Sequence, residues 1–282
     1  MLRKIIFAFA LLGILYNTNL HAQYPGNQYP DENRIFSFRQ LKPIFLVDMP
    51  TANILTEDRG TNQEPQKYFL LTLRVYKLGG MNGGLTVGLT RHLMFGVTYG
   101  GQNLIGEGKI NWNPSPGIHI RYKLFSETYP FPPSIALGYN SQGWGSYDKE
   151  LNRYEIKSPG VYLVASKNYS NPIINLGIHA GINYSQENQG GDEDLNLFLG
   201  AHAILEEELS VVWEFDFGTN DNDEQSYGAG KGYMNVGIRW LFANQLILEF
   251  SFKNLLNNKR GPDGTAEPYS NRELKIIYRQ EL

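Results

Sequence analysis

The stretch Ser210-Val211-Val212-Trp213-Glu214-Phe215-Asp216-Phe217 puts Val211, Trp213, Phe215 and Phe217 at every second position, with Ser210, Glu214 and Asp216 between them. Side chains that alternate with a period of two point to opposite faces of a strand, whereas a helix would scatter this set around its axis. The pattern returns in Met234, Val236, Ile238, Trp240 and Phe242 and, past an Ala243-Asn244 turn, in Leu246, Leu248, Phe250 and Phe252. The interleaved residues are Asn235, Gly237, Arg239, Glu249, Ser251 and Lys253. One face is apolar along its length and the other carries charge. A soluble sandwich also alternates, but its outward face is seldom built of Gly, Asn and His. Repeated along the chain, the pattern predicts an all-β fold, a transmembrane antiparallel up-and-down β-barrel with its apolar side to lipid and its polar side to the lumen.

Outward from this stretch, the ladder begins at Lys67 with Phe69, Leu71, Leu73 and Val75 and closes with Leu274, Ile276 and Tyr278. Counting from Lys67 gives twelve strands, or fourteen if Ile44 to Met49 and Leu104 to Trp112 both pair. Tight turns are expected near 91–92, 126–133, 170–172, 206–208 and 243–244, and long polar loops near 103–115, 143–158, 185–193, 219–231 and 254–270. Short turns at one end and long loops at the other are the layout of bacterial outer-membrane barrels, with an even strand count leaving both termini periplasmic. Tyr99, Tyr139, Tyr184, Phe217 and Phe252 form one expected aromatic girdle; Tyr122, Trp240, Phe242 and Tyr278 form the other.

The chain opens Met1-Leu2-Arg3-Lys4, runs apolar to Tyr16 and reaches Leu20-His21-Ala22 before Gln23. A basic start, a short apolar run and a small residue at the end read as a secretory signal peptide over 1–22. The competing reading, a membrane anchor, fails on length: about a dozen apolar residues cannot cross ~30 Å of hydrocarbon as a helix. Residues 23–66 read as a periplasmic N-terminal segment and 67–282 as the barrel. Absence of cysteine excludes a lipoprotein anchor, disulfides and thiolate metal sites. A formal charge of -3 offers no basic field for nucleic acid. Thirty glycines, 13% aromatics and a mean hydropathy of -0.36 suit a barrel whose apolar residues are diluted by lumen and loop.

Asp48-Met49-Pro50-Thr51-Ala52, the segment Ser134 to Asn140, and Tyr162-Leu163-Val164-Ala165-Ser166-Lys167 resemble the YjbH-like outer-membrane proteins of exopolysaccharide and capsule loci. Members of that family are usually longer, so the resemblance covers one barrel unit. It implies a non-enzymatic role in export or surface organisation of an envelope polysaccharide. Leu282 stands where barrel-assembly signals usually end in an aromatic, while Tyr278, Ile276 and Leu274 keep the spacing. The partners implied are outer-membrane lipid and lipopolysaccharide, the barrel-assembly machinery and an anionic polysaccharide.

His119, His179 and His202 fall on the lumen face and, with Ser210 and Glu214, invite a lipid-hydrolase reading. Such an enzyme needs its Ser and His on the bilayer side, and these histidines point inward. Arg74, Arg121, Lys123, Arg239, Lys253, Lys275 and Arg279 share the lumen face with Glu214, Asp216, Glu249 and Glu273. Opposite charges across a narrow lumen form either a structural ion-pair network or a modestly basic surface for anionic saccharide. A barrel component of a secretion or adhesion machine is a further alternative. Asp192, Glu193, Asp194, Asp221, Asp223 and Glu224 make the outer loops acidic, but Thr219 to Gln225 lacks the ligand order of a calcium loop, so solvated loops are expected. No phosphate loop or dinucleotide motif implies a cofactor.

Overall fold

The computed structural model describes residues 21–22, 45–57, 66–128, 131–170, 174–189, 192–205, 208–224, 226–243, 245–260 and 271–282. The expected signal peptide, except for His21 and Ala22, and most of the turns at 170–172, 206–208 and 243–244 lie outside them. Twelve long strands form the wall: β1 (Gln66–Tyr76), β2 (Gly80–Gly88), β3 (Leu93–Gln102), β4 (Gly117–Phe125), β5 (Ser134–Asn140), β6 (Gly160–Ser170), β7 (Ile174–Tyr184), β8 (Asn196–Leu205), β9 (Leu209–Asp216), β10 (Tyr233–Ala243), β11 (Leu246–Lys253) and β12 (Asn271–Glu281). Each pairs antiparallel with the next, and β12 pairs with β1 from Leu274 opposite Val75 to Glu281 opposite Tyr68, so the barrel closes. Closure removes the unpaired strand edges that hydrocarbon cannot satisfy.

The register follows the period of two. Leu71, Leu85, Ile118, Tyr122, Leu137, Ile178, Leu199, Trp213, Ile238, Phe250 and Leu274 are all exposed on the outer surface. Their chain neighbours Arg121, His179, Glu214, Asn235, Arg239, Glu249, Ser251 and Glu273 are buried inside. A soluble fold would bury the apolar set, so the inverted arrangement marks the outer wall as lipid-facing.

Twelve strands, and not fourteen, make the wall. Residues 45–49 form no strand, and Asn111–Trp112 adds only a short ribbon to Gly101–Gln102 at the loop end of β3. β2 begins at Gly80, earlier than the alternation shows, because Met81-Asn82-Gly83-Gly84 has no apolar period although it pairs with β1. The β1–β2 hairpin turns on Leu78 (φ 55) and Gly79 (φ 60), the left-handed pair of a two-residue turn. A side chain at Gly79 would also strike the Ile105 carbonyl, at 1.8 Å from its Cβ. At the other end Thr90 Oγ1 accepts from the amides of His92 (3.2 Å) and Leu93 (3.0 Å), which tightens the turn between β2 and β3.

Residues 45–57 change the picture most. The sequence reading places them in a segment ahead of the barrel, whereas the structure places them inside it. Leu46, Val47, Met49, Ala52, Ile54 and Leu55 are all buried against inward-facing wall residues. Phe45, Ile54 and Leu55 pack with Leu70, Met94, Ile204, Leu241, Ile247 and Ile277 near the turn end. Leu46, Val47, Met49 and Ala52 pack further in, with Ala136, Tyr162, Val164, Phe198 and Val212. The chain thus enters from the turn end, reaches an apex around Asp48 to Thr51, and returns to pair Thr56–Glu57 with Gln66–Lys67 of β1. It is a re-entrant plug, and its apolar residues leave the alternation because they face a curved interior and not a sheet.

Candidate functional site

The plug meets the lumen charges at named atoms. Arg74 donates to Asp48 Oδ1 at 2.7 Å and bidentately to Glu273 at 3.1 and 2.8 Å, while Lys253 pairs with Asp48 Oδ2. Glu214 Oε2 accepts the backbone amides of Asp48 (2.9 Å) and Met49 (3.0 Å), and its other oxygen accepts from Asn235. Arg239 pairs with Glu249 and also donates to the carbonyls of Phe45 and Leu46. Lys275 donates to Glu249 at 2.8 Å and to the Val47 carbonyl at 2.9 Å. Arg121 reaches the Asn53 carbonyl at 2.8 Å, and Ser166 Oγ accepts the Ala52 amide at 2.9 Å. A buried backbone amide or carbonyl without a partner costs about 1–3 kcal/mol, so these side chains take the place of the ladder that the plug lacks.

Most of the sequence-predicted charge set therefore converges on one object. Arg74, Arg121, Arg239, Lys253, Glu214 and Glu249 bind the plug directly or brace a residue that does. Two assignments need correction. Glu214 and Asp216 are not the anionic halves of wall ion pairs: Glu214 holds plug amides, and Asp216 accepts from Asn196 (2.7 Å) and the Gly218 amide (2.8 Å), fixing the loop after β9. Lys123, half-buried on the lumen face, lies one inward step nearer the turn end than Arg121.

The histidines sit where expected, with partners other than Ser210. His179 Nδ1 lies 2.7 Å from Ser166 Oγ and its Nε2 lies 3.0 Å from His202 Nδ1. Ser166 faces His179 across β6 and β7, so the sheet register makes this pair. Ser210 instead faces Arg239 and Ile204 across its neighbouring strands. Ser166 and His179 are each 1% exposed, on the lumen side under the plug, which is the opposite side from a lipid substrate. His119 Nε2 approaches Tyr162 Oη at 3.0 Å and an Arg121 nitrogen at 3.2 Å. Because a guanidinium only donates, that histidine nitrogen carries a lone pair toward it.

The loop end carries an inward-packed hairpin. A hairpin of Trp144–Asp148 and Arg153–Ile156 packs Trp144 and Ile156 against Tyr76 and Tyr233. Trp144 Nε1 donates to Glu273 at 2.8 Å, joining this cap to the plug network. Arg153 grips Asp221 bidentately at 2.7 and 2.9 Å, and Lys157 donates to the carbonyls of Asp192 (2.8 Å) and Asn220 (2.7 Å). Asp192 and Asp221 are buried, so those two acidic residues are loop fasteners and not solvated charges, while Glu193, Asp194, Asp223 and Glu224 are exposed. Burial pushes the Glu187 carboxyl up although it accepts the Tyr154 and Ser158 amides, and burial pushes the Lys157 ammonium down. The Tyr227 hydroxyl holds the Asp148 carboxyl below its ordinary value.

Sequence reasoning missed the plug and the buried role of its neighbours Tyr162, Ser166 and Trp144. The available signal was the lumen glycines: a Cβ at Gly88 would lie 1.9 Å from the Leu55 carbonyl oxygen, and one at Gly200 would lie 2.2 Å from Leu46 Cδ1. Small wall residues make room for something inside.

A closed wall with an apolar exterior and a charged, filled interior defines an outer-membrane β-barrel protein, in this case one plugged by its own N-terminal segment. The chain matches no family model and no curated protein. Among solved structures it is similar to the NanC porin, at 9% identity over 76% of this chain and 99% of that one, with a TM-score of 0.40. It is similar to an outer membrane channel from Pseudomonas putida F1, at 10% identity over 80% and 98%, with a TM-score of 0.41. It is also similar to outer membrane phospholipase A from Escherichia coli, at 12% identity over 80% and 95%, with a TM-score of 0.39.

Proposed function

We propose that the protein is a gated, non-enzymatic conduit in the export or surface organisation of an envelope polysaccharide, held shut by residues 45–57. The observation that carries this reading is the attachment of the plug: at its apex the Asp48 carboxylate is held by Arg74 and Lys253, an ion-pair arrangement that a competing anion can exchange, while Glu214 holds the Asp48 and Met49 amides and Arg239 the Phe45 and Leu46 carbonyls. The apex is also the Asp48-Met49-Pro50-Thr51-Ala52 element on which the resemblance to exopolysaccharide-locus barrels rests. In this reading the turn end, with its short turns, faces the periplasm, and the plug enters from the side where a transported chain would arrive. Leu46, Val47, Met49, Ile54 and Leu55 each lose roughly 1.5–3 kcal/mol of apolar burial on withdrawal, so opening requires a driving partner and not thermal fluctuation alone. Planar-bilayer recordings test the gate. The full chain is expected to be silent, and a variant lacking 45–55 is expected to conduct and to be blocked by an acidic polysaccharide. A folded, membrane-inserted variant that stays silent overturns the gate.

A further inference from the structure

Arg272 puts a charge on the lipid-facing side of the wall. β12 alternates buried and exposed from Asn271 onward, and Arg272 stands in the exposed row with Leu274. Its cross-strand neighbour on β11 is Phe252, so it lies at the depth of the loop-end aromatics, where lipid headgroups begin. No other charged side chain among the described residues stands in an outward row of a wall strand at this end. Its backbone amide donates to Asn271 Oδ1 at 2.9 Å, but its guanidinium has no hydrogen bond or ion pair among the described residues.

Beside Arg272 the wall opens. Pairing between β1 and β12 ends at Val75 and Leu274, while β12 stays paired with β11 as far as Lys253 and Asn271. Continued past Tyr76, the same register would set Lys77 opposite Arg272; instead the chain turns at Leu78, and Lys77 donates to Glu155 of the loop hairpin at 2.6 Å. The result is a cleft of about 500 Å³ with Val75, Phe250 and Leu274 on its membrane side and Lys77 and Arg272 at its rim. Glu273, the acidic residue of its lining, points to the lumen with its oxygens taken by Arg74 and Trp144. Phe250 and Leu274 are 42% exposed, so the cleft is open to hydrocarbon below and cationic above, the order of parts in an anionic lipid.

We propose that this seam cleft is a binding site for a phosphorylated glycolipid of the outer leaflet, with Arg272 holding a headgroup phosphate and Phe250 and Leu274 packing an acyl chain. The planar fork of a guanidinium matches two oxygens of a phosphate and is the donor geometry that such a group favours. The long-loop end faces outward in the barrel layout, so the lipid that reaches it is the glycolipid of that leaflet and not the phospholipid of the inner one. The site lies on the outer wall and is independent of the gate.

Native mass spectrometry of the full chain, refolded in zwitterionic detergent with EDTA to remove divalent bridges to the acidic loops, tests the site. The probes are bisphosphorylated lipid A, the same lipid without its phosphates, and phosphatidylglycerol, with inorganic phosphate as competitor. Wild type is expected to retain one bisphosphorylated lipid A. Arg272→Gln is expected to weaken that binding roughly tenfold, the scale of one lost charge-assisted pair, Arg272→Lys to restore part of it, and Lys149→Gln, an exposed loop cation, to leave it unchanged. Equal binding by Arg272→Gln, or equal binding of the dephosphorylated lipid, overturns the site. Equal binding of phosphatidylglycerol overturns the glycolipid assignment, and displacement by millimolar inorganic phosphate overturns the lipid assignment. The dephosphorylated probe needs no variant, so the test decides even if Arg272→Gln does not refold. A barrel that stays silent without 45–55 loses the gate and leaves this result untouched.

Discussion

Glu214 shows what the lumen charges do. It is fully buried on β9, yet its carboxylate receives two backbone amides and an asparagine where an ion pair was expected. The sequence places it correctly, since alternation in 210–217 sends it inward, but its partners Asp48 and Met49 lie 166 and 165 residues away and no local pattern links them. This geometry separates an acceptor from a counter-charge. Glu214→Gln keeps an acceptor oxygen for the plug amides and loses the charge, whereas Glu214→Met loses both. Thermal melting is expected to show a small loss for Gln and a larger one of about 2 kcal/mol or more for Met, which strands two buried amides at about 1–3 kcal/mol each. Equal losses would mean that the charge, and not the acceptor, matters at this position.

The strands were legible as elements because their period is enforced twice, once by lipid and once by the lumen. Ile238 on β10 illustrates it: its neighbours Gly237 and Arg239 face the plug side, and it packs opposite Val211 and Phe250 on the outer wall. Depth along the strand is then readable as energy. Ile238→Arg is expected to cost ~2–4 kcal/mol as a midplane charge on the lipid face, and Phe242→Arg, near the rim, roughly 0–1 kcal/mol. Heat-modifiable gel mobility across a denaturant series measures both, and a rim cost equal to the mid-strand cost would reject the placement of the membrane. The plug, by contrast, was not legible as an element. Ile44 to Met49 carries the composition of a strand, but it is stopped by Pro50, and the Val47 carbonyl and the Asp48 and Met49 amides are bound by side chains. Loop fasteners such as Arg153 and Asp221, 68 residues apart, were hidden for the same reason: polar loops read as solvated unless their partners are known.

At the scale of the molecule, three apolar clusters are spaced along the lumen, from Leu55 at the turn end, through Val47 and Phe198, to Trp144 of the loop hairpin. The plug fills the lumen from the turn end, and the proposed gate depends on residues 45–55 lying inside the barrel. That claim can be tested directly, because the chain has no cysteine. The Ala52 amide nitrogen is 2.9 Å from Ser166 Oγ, which brings the two Cα atoms within reach of the ~4.4–6.8 Å that a disulfide spans. In Ala52→Cys/Ser166→Cys, refolded into bilayers and mildly oxidised, peptide mapping is the measurement. The account predicts a 52–166 cross-link formed in the folded barrel. A fully folded barrel with both thiols free, and with 45–55 open to added protease, would contradict it.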